Sequence, residues 1–127
     1  MESGGRSIYD VVGEDGLTRL VASFYAGIPD DPILGPMYPE GDFEGAEERL
    51  RSFLIYRLGG PQTYIQERGH PRLRMRHLPF PIGTAARDAW VSRMEAALDE
   101  VAFPAEVDAT LRTFFADVAT FLINRRG

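Results

Sequence analysis

An all-α fold is what this sequence predicts, and three observations carry the prediction. Four stretches space their apolar residues at the 3.6-residue period of a helix. No segment alternates apolar and polar residues between hairpin turns, as a sheet would require. Eight of the nine prolines fall between Pro29 and Pro81, and none lies inside the periodic stretches.

The first stretch sets Leu17, Val21, Phe24, Tyr25 and Ile28 at i, i+4, i+7, i+8 and i+11, one face of a helix. Residues 30–43 follow as a Pro/Gly-rich passage with room for only a short helical turn, over residues 32–37. The second stretch lines up Ala46, Leu50, Phe53, Leu54 and Leu58, with Glu47, Glu48, Arg51 and Arg57 elsewhere around the helix. It stops at Gly59-Gly60-Pro61, which reads as a C-terminal cap rather than a phosphate loop because it follows a helix. Residues 59–83 form a long irregular connection with one short helix expected over residues 72–77. Loops of that length in a compact domain usually perform a function or wrap a ligand. The third stretch begins at Thr84, whose hydroxyl suits an N-cap, and continues through Trp90, Met94, Ala97, Leu98 and Val101. The fourth starts at Pro104, suited to the first helical position, with Glu106 and Asp108 near the positive end of the helix dipole. It turns Val107, Leu111, Phe114, Phe115, Val118, Phe121 and Leu122 inward.

Composition narrows the function. The chain of 127 residues carries 14 basic and 19 acidic side chains and a net charge of −5. One domain over residues 1–127 is expected at this length, large enough for one core or one enclosed ligand. The absence of Cys excludes disulfide scaffolds, thiolate metal sites and cysteine nucleophiles. Apolar runs are far too short to span a bilayer, and the N-terminal residues lead into no apolar signal region. A soluble, cytoplasmic protein without a membrane partner is the expectation. The charge is split: residues 49–87 hold eight arginines and one acid, Glu67, for a net of +7, while the rest holds six arginines and eighteen acids, a net of −12. Every basic residue is Arg.

Few residues can carry chemistry. His70 and His77 are the only histidines; they lack HExxH spacing, so a two-histidine zinc site has little support. Ser7, Ser23, Ser52 and Ser92 lack a nucleophile-elbow context. A single His can still hold haem, because the porphyrin supplies four of the iron's ligands and leaves the axial positions to the protein. Haem also needs an apolar slot and cationic or hydroxyl groups for its propionates. Residues of all these kinds are present.

Tyr38-Pro39-Glu40, the run from Gly45 to Leu54, Gly59-Gly60-Pro61 and above all Arg68-Gly69-His70-Pro71-Arg72-Leu73-Arg74-Met75-Arg76-His77 resemble the truncated haemoglobins, specifically group II. The resemblance runs from Ile8-Tyr9-Asp10 to the last helix and includes Phe80 and Trp90. It implies a globin-like two-on-two helical sandwich around haem b. His77 matches the proximal iron ligand. Tyr25, Tyr38 and Trp90 match the distal residues, with Ala46 where many globins place a distal His or Gln, and Leu50 and Leu54 one and two turns on. Arg49, Tyr64 and Arg76 stand like propionate partners; Phe53 and Phe80 are expected against the haem. Leu58 replaces the Trp often found before the GGP stop, and Glu14-Asp15 follow Gly13 where a second Gly is common. His70 reads as a loop histidine with a capping or supporting role.

The distal set is chemically coherent. A diatomic ligand that gathers partial negative charge on its outer atom is stabilised by donors, and Tyr O–H and Trp N–H both donate. Ala46 cannot, so the donors are Tyr25, Tyr38 and Trp90; core packing of Tyr25 and Trp90 is compatible with that role. The resemblance therefore implies binding of O2, CO or NO with slow O2 release and redox chemistry on NO or peroxide, or sensing, supplied by an external electron donor. Storage, transport, sensing and catalysis are not separated by the sequence, nor is oligomeric state. The other reading is a haem-independent helical module that binds an anionic partner through the Arg-rich segment 49–87. Nucleic acid fits that segment poorly, since it lacks the interleaved exposed aromatics of a single-strand binder.

Overall fold

A computed structural model describes residues 7–38, 41–61 and 82–124. Among these residues there are four α-helices and no strand: α1 (Ile8–Ala26), α2 (Phe43–Arg57), α3 (Thr84–Val101) and α4 (Ala105–Phe121), with a 3-10 turn at Gly35–Met37. The short helix expected over residues 72–77 lies outside the described residues.

α1 begins well before its apolar face does. Ser7 caps it reciprocally with Asp10: the Asp10 N–H donates to Ser7 Oγ and the Ser7 N–H to Asp10 Oδ2, each at 3.0 Å. Gly13, at φ 71° and ψ 174°, kinks the helix, a conformation open to Gly because it has no Cβ. Beyond the kink Leu17, Leu20, Val21, Phe24 and Tyr25 are buried, and Ile28 is buried just past the helix end. α2 starts at Asp42, whose Oδ1 accepts from the Gly45 N–H at 3.0 Å. Its buried face is Ala46, Phe53 and Leu54, with Leu58 at the cap and Leu50 half-buried.

Two expected helix starts move by one residue. Gly83, not Thr84, is the N-cap of α3, and no side chain caps it; Thr84 is the first helical residue and is exposed. Pro104 is likewise the N-cap of α4 rather than its first helical residue. Met94, Ala97 and Leu98 form the buried face of α3, and Val107, Leu111, Phe115 and Ala119 that of α4. Phe121, expected to point inward, is 55% exposed at the last residue of the helix. α1 packs on both α2 and α3, and α3 on α4.

The Gly59-Gly60 stop is a junction as well as a cap. The Gly60 N–H donates to the Ile55 carbonyl at 2.7 Å across six residues, the Schellman closure. Gly59 sits at φ 107°, and a Cβ there would collide with the Ser7 side chain. The Tyr9 N–H donates to the Leu58 carbonyl at 3.0 Å, so the end of α2 seats the start of α1. Gly59→Ala is expected to destabilise the fold by about 1–3 kcal/mol, adding left-handed strain to a steric clash. A melting temperature within a degree of the parent's would contradict this.

At the other end Asn124 clasps Ile82. The Asn124 N–H donates to the Ile82 carbonyl at 2.8 Å, and the Ile82 N–H to Asn124 Oδ1 at 2.9 Å. Arg87 Nε adds a bond to Thr120 Oγ1 at 3.1 Å, tying the start of α3 to the end of α4.

Candidate functional site

A connected row of aromatic rings crosses the core. Tyr38 stands 5.8 Å from Tyr25 between ring centroids, edge-on at 77°. Tyr25 is 4.9 Å from Phe24 at 89°, and Phe24 is 5.1 Å from Trp90. Trp90 continues to Phe115 at 5.7 Å, and Phe43 flanks Tyr38 at 5.4 Å. Helical geometry places these rings. Tyr25 shares the buried face of α1 with Val21, Trp90 lies one turn before Met94 on α3, and Tyr38 directly follows the 3-10 turn.

Tyr25 and Tyr38 meet at their polar tips: the Tyr38 hydroxyl donates to the Tyr25 hydroxyl at 3.4 Å. That is near the outer limit of a hydrogen bond. Tyr25 is only 8% exposed, and among the described residues this long bond is the one its hydroxyl makes. A buried phenol with so poor a bond has capacity for a better partner. Burial pushes the Tyr25 hydroxyl far above the usual phenol range, with the neighbouring Tyr38 adding to it. Burial also raises Tyr38, opposed by its bond to Tyr25 and by the Arg49 charge. Both therefore remain protonated and able to donate at any physiological pH.

Trp90 is half-buried and joins the tyrosines through Phe24 rather than by direct ring contact in this arrangement. Ala46 and Leu54 are buried on α2, Phe53 is 8% exposed, and Leu50 is half-buried. Arg49 is exposed and faces Asp42, Nη1 to Oδ2 at 3.7 Å, with both side chains more than half exposed. Such a pair contributes little. His77, His70, Tyr64, Arg76 and Phe80 lie outside the described residues.

A buried, under-partnered hydroxyl set among aromatic side chains, with a loosely held cation near by, suits a haem that carries a polar ligand. Two of the segment's arginines have other work. Arg57 lies 5.4 Å over the Phe114 ring, and Arg87 is held by Thr120 and by Asp88 at 3.0 Å. Among the described residues no helix is long and apolar enough to cross a membrane.

Comparison with known proteins agrees with this architecture. Residues 7–124 match the model of the bacterial-like globin family. Group 2 truncated hemoglobin YjbI of Bacillus subtilis is 43% identical over 99 residues, covering 78% of this chain and 74% of that one. The thermostable hemoglobin of the actinobacterium Thermobifida fusca superposes with a TM-score of 0.90 at 48% identity, covering 94% of this chain and 98% of that one. A truncated oxygen-avid haemoglobin from Bacillus subtilis gives a TM-score of 0.88 at 38% identity, over 94% of this chain and all of that one (100%). The chain belongs to the bacterial-like globin family, as a group II truncated haemoglobin with the all-α truncated globin fold. Membership carries haem as cofactor and a diatomic gas such as O2 as ligand. It leaves the anion-binding module without support.

Two contributors escaped the sequence reading. Phe24, read there only as part of the helix's apolar face, lies between the Tyr25 and Trp90 rings and touches both. Asp31, 7% exposed, is the one buried charged residue among the described residues, and it pairs with Arg93. The Asp31-Pro32 pair, with Asp opening a turn and Pro next, was the available signal.

Proposed function

We propose that residues 1–127 form one cytoplasmic globin domain that holds haem b through His77 and binds O2, CO or NO with slow O2 release. When bound, haem would supply the iron that takes the gas and a redox couple for chemistry on NO or peroxide, with electrons drawn from an external donor. The chain's own residues do the rest. Arg49, Tyr64 and Arg76 neutralise the propionates, and the Arg49 pairing with Asp42 is weak enough to exchange for one. Phe53, Leu54 and Phe80 exclude water from the ring faces. Ala46 and Leu50 border the ligand without donating to it. Tyr25, Tyr38 and Trp90 donate hydrogen bonds to its outer atom.

The observation that carries the reading is the buried Tyr25 hydroxyl, protonated and bonded only to Tyr38 at 3.4 Å among the described residues. The oxygen-avid character of the Bacillus subtilis relative supports the same conclusion. Slow release suits chemistry or sensing better than delivery.

Absorption spectra of the ferric, ferrous and CO- or O2-bound protein test the cofactor. Protein expressed with ample haem and purified without a Soret band would overturn the reading. Stopped-flow displacement of O2 tests the donors: Tyr25→Phe and Trp90→Phe should each speed release by about two- to tenfold, the worth of one hydrogen bond. Fast release in the parent, unchanged in both variants, contradicts the distal assignment.

A further inference from the structure

The three ring-bearing segments of the pocket converge on one ion pair. Asp31 Oδ2 accepts from Arg93 Nε at 2.9 Å. Asp31 Oδ1 accepts from the backbone N–H groups of Ile33 and Leu34, both at 2.8 Å. From there the bonding runs on to Tyr38. The Gly35 N–H donates to the Asp31 carbonyl at 2.9 Å, the Met37 N–H to the Leu34 carbonyl at 3.0 Å, and the Tyr38 N–H to the Gly35 carbonyl at 3.3 Å. Asp31 thus holds the first turn of the passage, and the bonds to Leu34 and Gly35 that deliver Tyr38 build on that turn. Arg93 sits on α3 one turn after Trp90. Its guanidinium also lies against the end of α1, where a Cβ on Gly27 would stand 2.8 Å from Arg93 Nη1. Gly27 is two residues past Tyr25 and caps α1. With φ at −98°, it does not need glycine for its backbone. The space that a side chain would take there is filled by the guanidinium.

We infer that Asp31 and Arg93, with the space left by Gly27, are positioning residues that set the spacing of Tyr25, Tyr38 and Trp90, and through them the hold on the gas ligand. The inference rests on the donor roles proposed above. The physical reason is reach. A guanidinium is a rigid planar fork, able to bond a carboxylate on one edge while its face packs on backbone, which an ammonium cannot do. Removing it leaves a buried carboxylate with its backbone donors but no counter-charge, so the turn and the adjacent helix end lose their common anchor.

The test uses ferrous, CO-bound, isotopically labelled holoprotein. Trp90 is the one Trp in the chain, so the single indole N–H resonance belongs to it. Arg93→Ala should move that resonance, speed amide exchange at Ile33 and Leu34, and raise O2 release by about two- to tenfold. Gly27→Ala should do the same with little loss of stability, because its Cβ displaces only the far end of a flexible side chain. Arg93→Lys should fall between parent and Arg93→Ala. Arg112→Ala is the control: Arg112 pairs with Asp99 at 2.6 Å and Asp108 at 2.8 Å, and it belongs neither to the pocket nor to the Asp31–Arg93 pair. Its loss should lower the melting temperature and leave the indole and the release rate unchanged. If Arg93→Ala behaves like Arg112→Ala, the ion pair is only structural and the inference fails. If Tyr25→Phe and Trp90→Phe leave release unchanged while Arg93→Ala still moves the indole and the amide exchange, the positioning stands and the donor roles fall.

Discussion

His77→Ala should leave the protein without stably bound haem, while His70→Ala keeps a normal Soret band. The chain offers no thiolate, and imidazole is its best remaining axial ligand, available at only these two positions. If His77 holds the iron, its loss would leave the cofactor only apolar contacts and propionate pairing. Because haem binds the folded state, its loss also lowers stability. A ligand at a hundred times its dissociation constant contributes about 2.7 kcal/mol, so the His77→Ala apoprotein should melt well below the parent. Added imidazole should restore much of the Soret band by filling the vacated position. Loss of haem from His70→Ala with retention in His77→Ala would reverse the assignment. Retention in both would mean that a Tyr or Met ligates the iron.

The helical faces were legible because burial periodicity is a local property. Leu17, Val21, Phe24 and Tyr25, or Met94, Ala97 and Leu98, announce one side of a helix whatever they pack against, and all are buried. Ends were less legible. α1 starts at Ile8, ahead of Leu17, because Gly13 and the acidic pair after it interrupt the apolar rhythm while the Ser7–Asp10 box supplies the start. The α3 cap fell to Gly83 because the chain enters from an extended conformation, at ψ −167°, that leaves the Thr84 hydroxyl one residue too late. The charge split was visible but its meaning was not. That Arg57 rests on Phe114, or that Arg87 reaches Thr120, depends on partners 57 and 33 positions away (114 − 57 and 120 − 87). The same holds for Asp31 and Arg93, separated by 62 positions. Residue types told which groups could donate; only the assembled helices bring the Tyr25 and Tyr38 hydroxyls together.

Phe24→Ala should be among the most damaging single changes in the core. The ring is 1% exposed and stands between Tyr25 at 4.9 Å and Trp90 at 5.1 Å. Truncating a buried Phe costs about 3–5 kcal/mol, partly lost transfer energy and partly the cavity that remains. For a domain of this size each kcal/mol lowers the melting temperature by roughly 2–8 °C, so a fall exceeding that of Gly59→Ala is expected. The cavity would also open beside the site, between the Tyr25 and Trp90 rings that Phe24 touches. Ligand release should therefore accelerate along with unfolding. Phe24→Leu divides the two effects. It fills most of the volume and forfeits the edge-to-face contact with Tyr25, worth about 0.5–1.5 kcal/mol. If Phe24 serves only as filler, Phe24→Leu will release O2 at the parent rate. If the ring also holds Tyr25 and Trp90 apart, release will quicken in Phe24→Leu while most of the stability survives. A Phe24→Ala protein that melts within a few degrees of the parent would show that the neighbouring rings collapse into the gap, and the pocket would then be far more plastic than its edge-to-face packing implies.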